Sequence, residues 1–188
     1  MSHPAEVLAP RRTAPRYLPG RAFPAYQYVP GIHPHPVRDP RGHSYQPSPT
    51  VSGVDPWDPS AWREATDWLW GVDLFNAFFF WEAHEAWERL WITQPRRSSP
   101  SLVLQGLIQL AAALLKLRTR SLESAGRLSK AGLEKLTRAA NTAESLLGLN
   151  LDRTISDFRS YLRPLAERIA PPLDESVPML VLSSEGGA

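Results

Sequence analysis

From Asp58 onward apolar residues recur at helical spacing; before it they do not. Asp58 followed by Pro59 reads as an N-cap and first turn, after which Trp62, Ala65, Trp68 and Leu69 share one face. Gly71 predicts a break or bend, and a second helix then runs from about Val72 to Ile92, stopped by Gln94 and Pro95. A third starts with Ser99 as cap and Pro100 in its first turn, and continues to Leu117. It is apolar around most of its circumference, as the central helix of a bundle must be. The fourth spans about Ser121–Leu146 on a stripe of Leu122, Ala125, Leu128, Leu133, Leu136 and Ala140, with Gly148 marking its end. The fifth is capped by Asp152, uses Ile155, Phe158 and Leu162, and is bent or ended by Pro164. Pro178–Leu182 is a short extended apolar run placed to close over one end. Short polar links imply antiparallel neighbours, so the pattern predicts an all-α fold, a four- to five-helix bundle at residues 57–188.

Composition adds an arm to that bundle. Thirteen of the 19 prolines fall within residues 1–60, so residues 1–56 form an extended Pro-rich N-terminal arm. Residues 1–22 mix Pro, Ala and Arg without period and are expected to be disordered. Residues 23–46 carry Phe23, Tyr26, Tyr28, Val29 and Tyr45 in a Pro-restrained backbone, and are expected to lie against the domain. Residues 47–56 read as a polar connector. Charge divides the same way: residues 1–50 hold six arginines against Glu6 and Asp39, net +4, and the remainder 15 basic against 17 acidic groups, net −2. That balance weighs against a nucleic-acid surface. The absence of cysteine excludes disulfides and thiolate chemistry, and with no signal-like h-region the expected location is cytoplasmic. The best apolar run, Leu102–Leu115, is too short to span a bilayer, so no membrane partner is expected.

The concentrated chemistry lies in Trp81–Trp91, WEAHEAWERLW. All seven tryptophans fall between Trp57 and Trp91, which fits either core packing or an aromatic-walled pocket. Trp81, His84, Glu85, Glu88, Trp91 and Ile92 follow the i, i+3, i+4, i+7 rule, and the tryptophans predict that this stripe faces protein, with Glu82 at its edge. Carboxylates drawn inward need partners. Gln105 and Gln109, one turn apart on the apolar third helix, can supply amides, giving a buried polar network of Glu82, Glu85, Glu88, Gln105 and Gln109. The same residues allow a metal reading. His84 and Glu88 then chelate one divalent ion as an HExxE pattern, with Glu85 as ligand or base; the second histidine of the zincin HExxH is absent. A third reading makes Glu85 or Glu88 a desolvated acid/base catalyst.

The arm bears on the metal reading. His33-Pro34-His35 is an HxH unit, and residues two apart in an extended backbone point to one side; His43 follows, with Asp39 between. Folded onto the second helix, His33, His35 or His43 would complete a site with Glu85 and Glu88. Otherwise these histidines serve the turns of a Pro-rich loop. Phosphate loops, nucleophile elbows and dinucleotide fingerprints are absent. Lys116, Arg118, Arg120, Arg127, Lys130, Lys135 and Arg138 read as a solvated face.

The stretch GVDLFNAFFFWEAHEAWERLW (Gly71–Trp91), followed by LQGLIQLAAALLKL (Leu104–Leu117), resembles the bacterial family called domain of unknown function 309. The likeness covers about residues 70–140. YVPGIHPHPVRDPRGHS (Tyr28–Ser44) is similar to an extension in one branch of that family. The resemblance implies a compact helical bundle with Glu82, His84, Glu85, Glu88, Gln105 and Gln109 as signature positions, and it implies no activity. Where the family often has Gly-Asn after the second motif, this chain has Thr119-Arg120-Ser121. The functional expectation is a helical binding or assembly protein with a buried Glu/His/Gln cluster and a second copy or another protein as partner. The alternative is a metal-dependent hydrolase using His84, Glu85, Glu88 and the arm histidines, and a nucleic-acid module ranks third.

Overall fold

The computed structural model describes residues 8–9, 11, 13–47 and 56–183. The fold is all-α: helices α1 (Thr66–Asn76), α2 (Phe80–Trp91), α3 (Ser99–Arg118), α4 (Leu122–Ala140) and α5 (Leu151–Leu162), with one small hairpin, β1 (Ser145–Leu146) and β2 (Leu149–Asn150). Asp58 caps only a 3-10 turn, Pro59–Ala61, and its carboxylate accepts from the Ser60 amide at 2.9 Å. The first helix therefore starts at Thr66 and not at Asp58.

The first break also differs from the expectation. Gly71 lies in the middle of α1, and the chain turns instead at Ala77–Phe79. Phe78 takes the left-handed conformation, φ 68°. The Phe79 amide donates to the Leu74 carbonyl at 2.8 Å and the Phe78 amide to that of Phe75 at 3.0 Å, a Schellman closure of the helix end. Glycine is usual there, since a side chain costs about 1–2 kcal/mol in that conformation. Phe78 is buried, and burying a phenylalanine contributes about 1.5–3 kcal/mol, so the ring outweighs the strain. Gly71 serves a close approach: a Cβ there would stand 2.1 Å from Nε1 of Trp87, whose fully buried indole brings its N–H edge against the α1 backbone.

Helix α3 is central, packed on α2 and α4. At the α3–α4 crossing a Cβ on Gly132 would stand 2.8 Å from the Gly106 carbonyl oxygen, so these glycines set how closely the two helices approach. At 20 residues, with mean hydropathy 1.5 over its most apolar stretch, α3 is long and apolar enough to cross a membrane by length and composition alone. Its most apolar stretch is 67% buried inside the bundle, as a core helix requires. Helix α4 stops at Ala140; Leu147 and Gly148, φ 55° and 78°, form the two-residue turn of the hairpin. Asn150, not Asp152, caps α5, accepting from the Arg153 amide at 2.8 Å.

Both flanking segments pack over the α1–α2 corner. In the tail, Leu180 and Leu182 are buried, Leu182 bridges to Leu149, and the Asn76 side chain exchanges two 2.8 Å hydrogen bonds with the Leu180 backbone. In the arm, Phe23 stacks between Trp70 and Phe79 at 5.6 and 5.2 Å. The expected disorder of residues 1–22 does not hold for the part described. The fully buried Asp73 carboxylate accepts from the Tyr17 amide (2.8 Å), the Leu18 amide (2.9 Å) and Arg16 Nε (3.1 Å). Arg11 donates to the Glu175 and Val177 carbonyls at 3.1 and 2.7 Å. The rest of that expectation, at residues 1–7, 10 and 12, and most of the connector, at 48–55, fall outside the described residues.

Replacing Gly71 with alanine must push the Trp87 ring off α1. The expected loss is about 1–3 kcal/mol, seen as a lower denaturant midpoint at unchanged slope.

Candidate metal centre

Helix α2 presents Phe80, Ala83, Ala86, Trp87 and Leu90 to the core. The predicted inward stripe is therefore out of phase. Trp81, His84, Glu85, Glu88 and Trp91 stand half-buried on the outer side, and Ile92 is 63% exposed. Two alanines explain the error: they read as neutral in the sequence, yet their smallness lets α2 seat closely on its neighbours.

On that outer side three groups converge. The ligating atoms of His84, Glu85 and Glu88 all lie within 4.8 Å of one another. Nδ1 of His84 is tied to the Trp81 carbonyl one turn back. Nδ1 thus donates to the carbonyl, and Nε2 faces the carboxylates, 3.3 Å from Glu85 Oε1, as a donor to them when it carries a proton and as a ligand when a cation takes the proton's place. Burial pushes the Glu85 carboxyl above its ordinary value of 4.5, the Glu88 charge adds to the rise, and His84, His35 and Arg89 oppose it. Ligands on one ion at about 2.0–2.2 Å sit no more than about 4.4 Å apart, so this group needs a small side-chain adjustment to hold one. One nitrogen and two carboxylates suit zinc, manganese or ferrous iron and leave coordination positions open to solvent.

The arm histidines separate. Gly31, φ 80°, turns the chain, and the His33 amide donates to the Val29 carbonyl at 3.2 Å. The chain thus turns just before His33, and the rings of His33 and His35 rest on different partners. His35 lies 5.4 Å from the Trp81 ring and 5.1 Å from Tyr28, beside the α2 group. Its Nδ1 accepts from the Val37 amide at 3.3 Å. His33 and His43 instead flank Tyr26, at 5.0 and 4.6 Å between ring centres. Asp39 pairs with Arg41, whose hydrogen bonds hold its carboxyl down at about 2.

Glu82, expected at the edge, is the buried acid of α2. Its Oε1 accepts from the Tyr28 amide at 2.9 Å and meets His43 Nε2 at 3.1 Å; among the described residues its Oε2 has no hydrogen-bond partner. Close by, Gln27 donates to the Ala77 and Leu8 carbonyls and accepts from Arg118 at 2.9 Å. Burial lowers the pKa of Arg118, opposed by Glu82. Burial also lowers that of His33, aided by Arg118 and opposed by Glu82. The buried polar groups here are two bonded pairs, Glu82 with His43 and Gln27 with Arg118, which feel each other through the charges of Glu82 and Arg118. Gln109 is engaged by Lys135 Nζ at 3.0 Å, and among the described residues no hydrogen bond joins Gln105 or Gln109 to Glu85 or Glu88. Asp73, Asn76, Gln27 and Arg118 were not singled out as partners of the arm and tail. The signal was present, since Asp73 and Asn76 interrupt the apolar run WLWGVDLFNAFFF, and buried polar groups require partners.

Fold and group together define a helical-bundle protein with a His/Glu/Glu cluster on its second helix. Residues 68–128 match the family described as Domain of unknown function (DUF309), the family the motifs resemble. The matched segment takes in α2, α3 and nearly all of α1, hence every residue of the cluster, and leaves the arm and α5 outside. Neither a curated protein nor a solved structure matches the chain.

Because the fold holds the Glu85 proton more tightly than the unfolded chain does, its ionisation opposes folding. In metal-stripped protein Glu85→Gln should raise the melting temperature at pH 7. The gain should vanish as pH falls below 4.5, where both states are protonated; calorimetry at the two ends checks it.

Proposed function

We propose that the protein binds one divalent metal ion through His84, Glu85 and Glu88, and that metal-assisted hydrolysis is its reaction class. The observation that carries this is the bond from His84 Nδ1–H to the Trp81 carbonyl, which aims the remaining ring nitrogen at two carboxylates on one helix face. An orienting bond on the far nitrogen is what ligating histidines ordinarily have. A bound ion acts as a Lewis acid and acidifies water. The chain's own contributions are three. Trp81, with Tyr28 and His35 around it at 5.2 and 5.4 Å, walls one side of the group. Glu85, desolvated by burial, supplies a carboxylate whose charge the ion would neutralise. His35, delivered by the arm, brings a second imidazole beside Glu85.

The competing reading is a binding or assembly protein with no metal. Elemental analysis of untagged, chelator-free protein, followed by calorimetric titration with zinc and manganese, separates the two. One ion per chain is expected, with affinity at least tenfold weaker in His84→Ala and Glu88→Gln while the helical circular dichroism is retained. No metal, and none taken up, overturns the metal reading and leaves the binding protein.

A further inference from the structure

A groove of about 1130 Å³ runs between α4 and the wall made by α5 and the 3-10 segment Arg163–Glu167. It shares no residue with the α2 group. Its α4 wall is a single helix face, Gly126, Ser129, Lys130, Leu133, Thr137 and Arg138, at spacings of three and four. Leu133, Leu162 and Leu165 supply apolar lining. The rim is one-sided in charge: Lys130 and Arg138 on one wall and Arg159 and Arg163 on the other face a single carboxylate, Glu134. All four cations are exposed, and among the described residues none has an ion-pair partner. Arginines elsewhere on the surface do pair, as Arg89 with Asp67 and Arg153 with Asp157.

We propose that this groove is the docking site for an acidic amphipathic helix of a partner protein. From Gly126 to Arg138 the α4 wall is about 18 Å long, enough for roughly three turns of helix. Leucine-type anchors at i, i+3, i+4 and i+7 would enter the apolar lining, and glutamates on their flanks would meet the two basic walls. Cations on both walls of a concave channel suit an inserted rod; a flat anionic bilayer would reach the rim and leave the lining empty. Opposite charge across the interface also speeds encounter and makes it sensitive to salt.

The test is fluorescence anisotropy of a labelled amphipathic model peptide, with leucines on one face and glutamates beside them, titrated with the full chain. Saturable binding with a Kd below about 100 µM is expected. It should weaken at least tenfold in Arg159→Glu/Arg163→Glu and on raising salt, and be blocked by Ser160→Trp at the exposed rim, with melting temperatures unchanged. Absence of saturable binding, equal binding of a lysine version of the peptide, or an unchanged affinity in the double variant overturns the proposal. So does preferential binding of phosphatidylglycerol vesicles, which would make the basic rim a membrane-facing surface.

Discussion

The Asp73 carboxylate has no exposure to water, and everything around the α1–α2 corner is arranged to satisfy it. An ion in that position is tolerable only with several donors aimed at it, and the corner's own helices have already used their amides. The donors come from the arm: two successive amides and a guanidinium. That requirement brings an extended proline-rich segment across the bundle, places Arg16 over Phe23 at 4.1 Å, and starts the path that later delivers Tyr28 and His43 to Glu82. The exchange is mutual. The arm pairs some amides within its own turns, as at Val29, and the buried acids of α1 and α2 accept those of Tyr17, Leu18 and Tyr28.

Helix α2 consequently works on three sides. Its core side holds the fold through Trp87, whose indole donates to the Trp68 carbonyl at 3.4 Å. Glu82 fastens the arm. The outer side, with His84, Glu85 and Glu88, has no such structural duty, and there chemistry has room. Two acids on one helix therefore have different surroundings: Glu82 is closed in by an amide and an imidazole, whereas among the described residues no amide donates to the desolvated Glu85.

The all-α class and a helix number of four to five were legible in the sequence, because long apolar helices leave few alternatives. Local signals failed where burial overrode them. Phe78 occupies a glycine's conformation because its ring is buried, so the break was expected at Gly71. The face of α2 was misjudged because large aromatics at Trp81 and Trp91 outweighed Ala83 and Ala86, although small residues are what close helix packing needs. The membership of the His/Glu/Glu group was legible, since it follows from helical spacing alone. Which arm histidine lies beside it was not, because that depends on the rings each one meets, Tyr26 for His33 and Trp81 for His35.

The bonds of Arg11 to the carbonyls of Glu175 and Val177, and of the Leu182 amide to the Tyr17 hydroxyl, each span more than 160 residues. During synthesis the arm precedes these partners by more than 160 residues. Helices α1 to α4, joined by near-neighbour contacts, can assemble meanwhile at little loop-closure cost. Full seating of the arm must await the tail. A chain halted before residue 175 would carry its bundle but lack those clasps, so the arm's hold on the molecule reports that translation has run to that point.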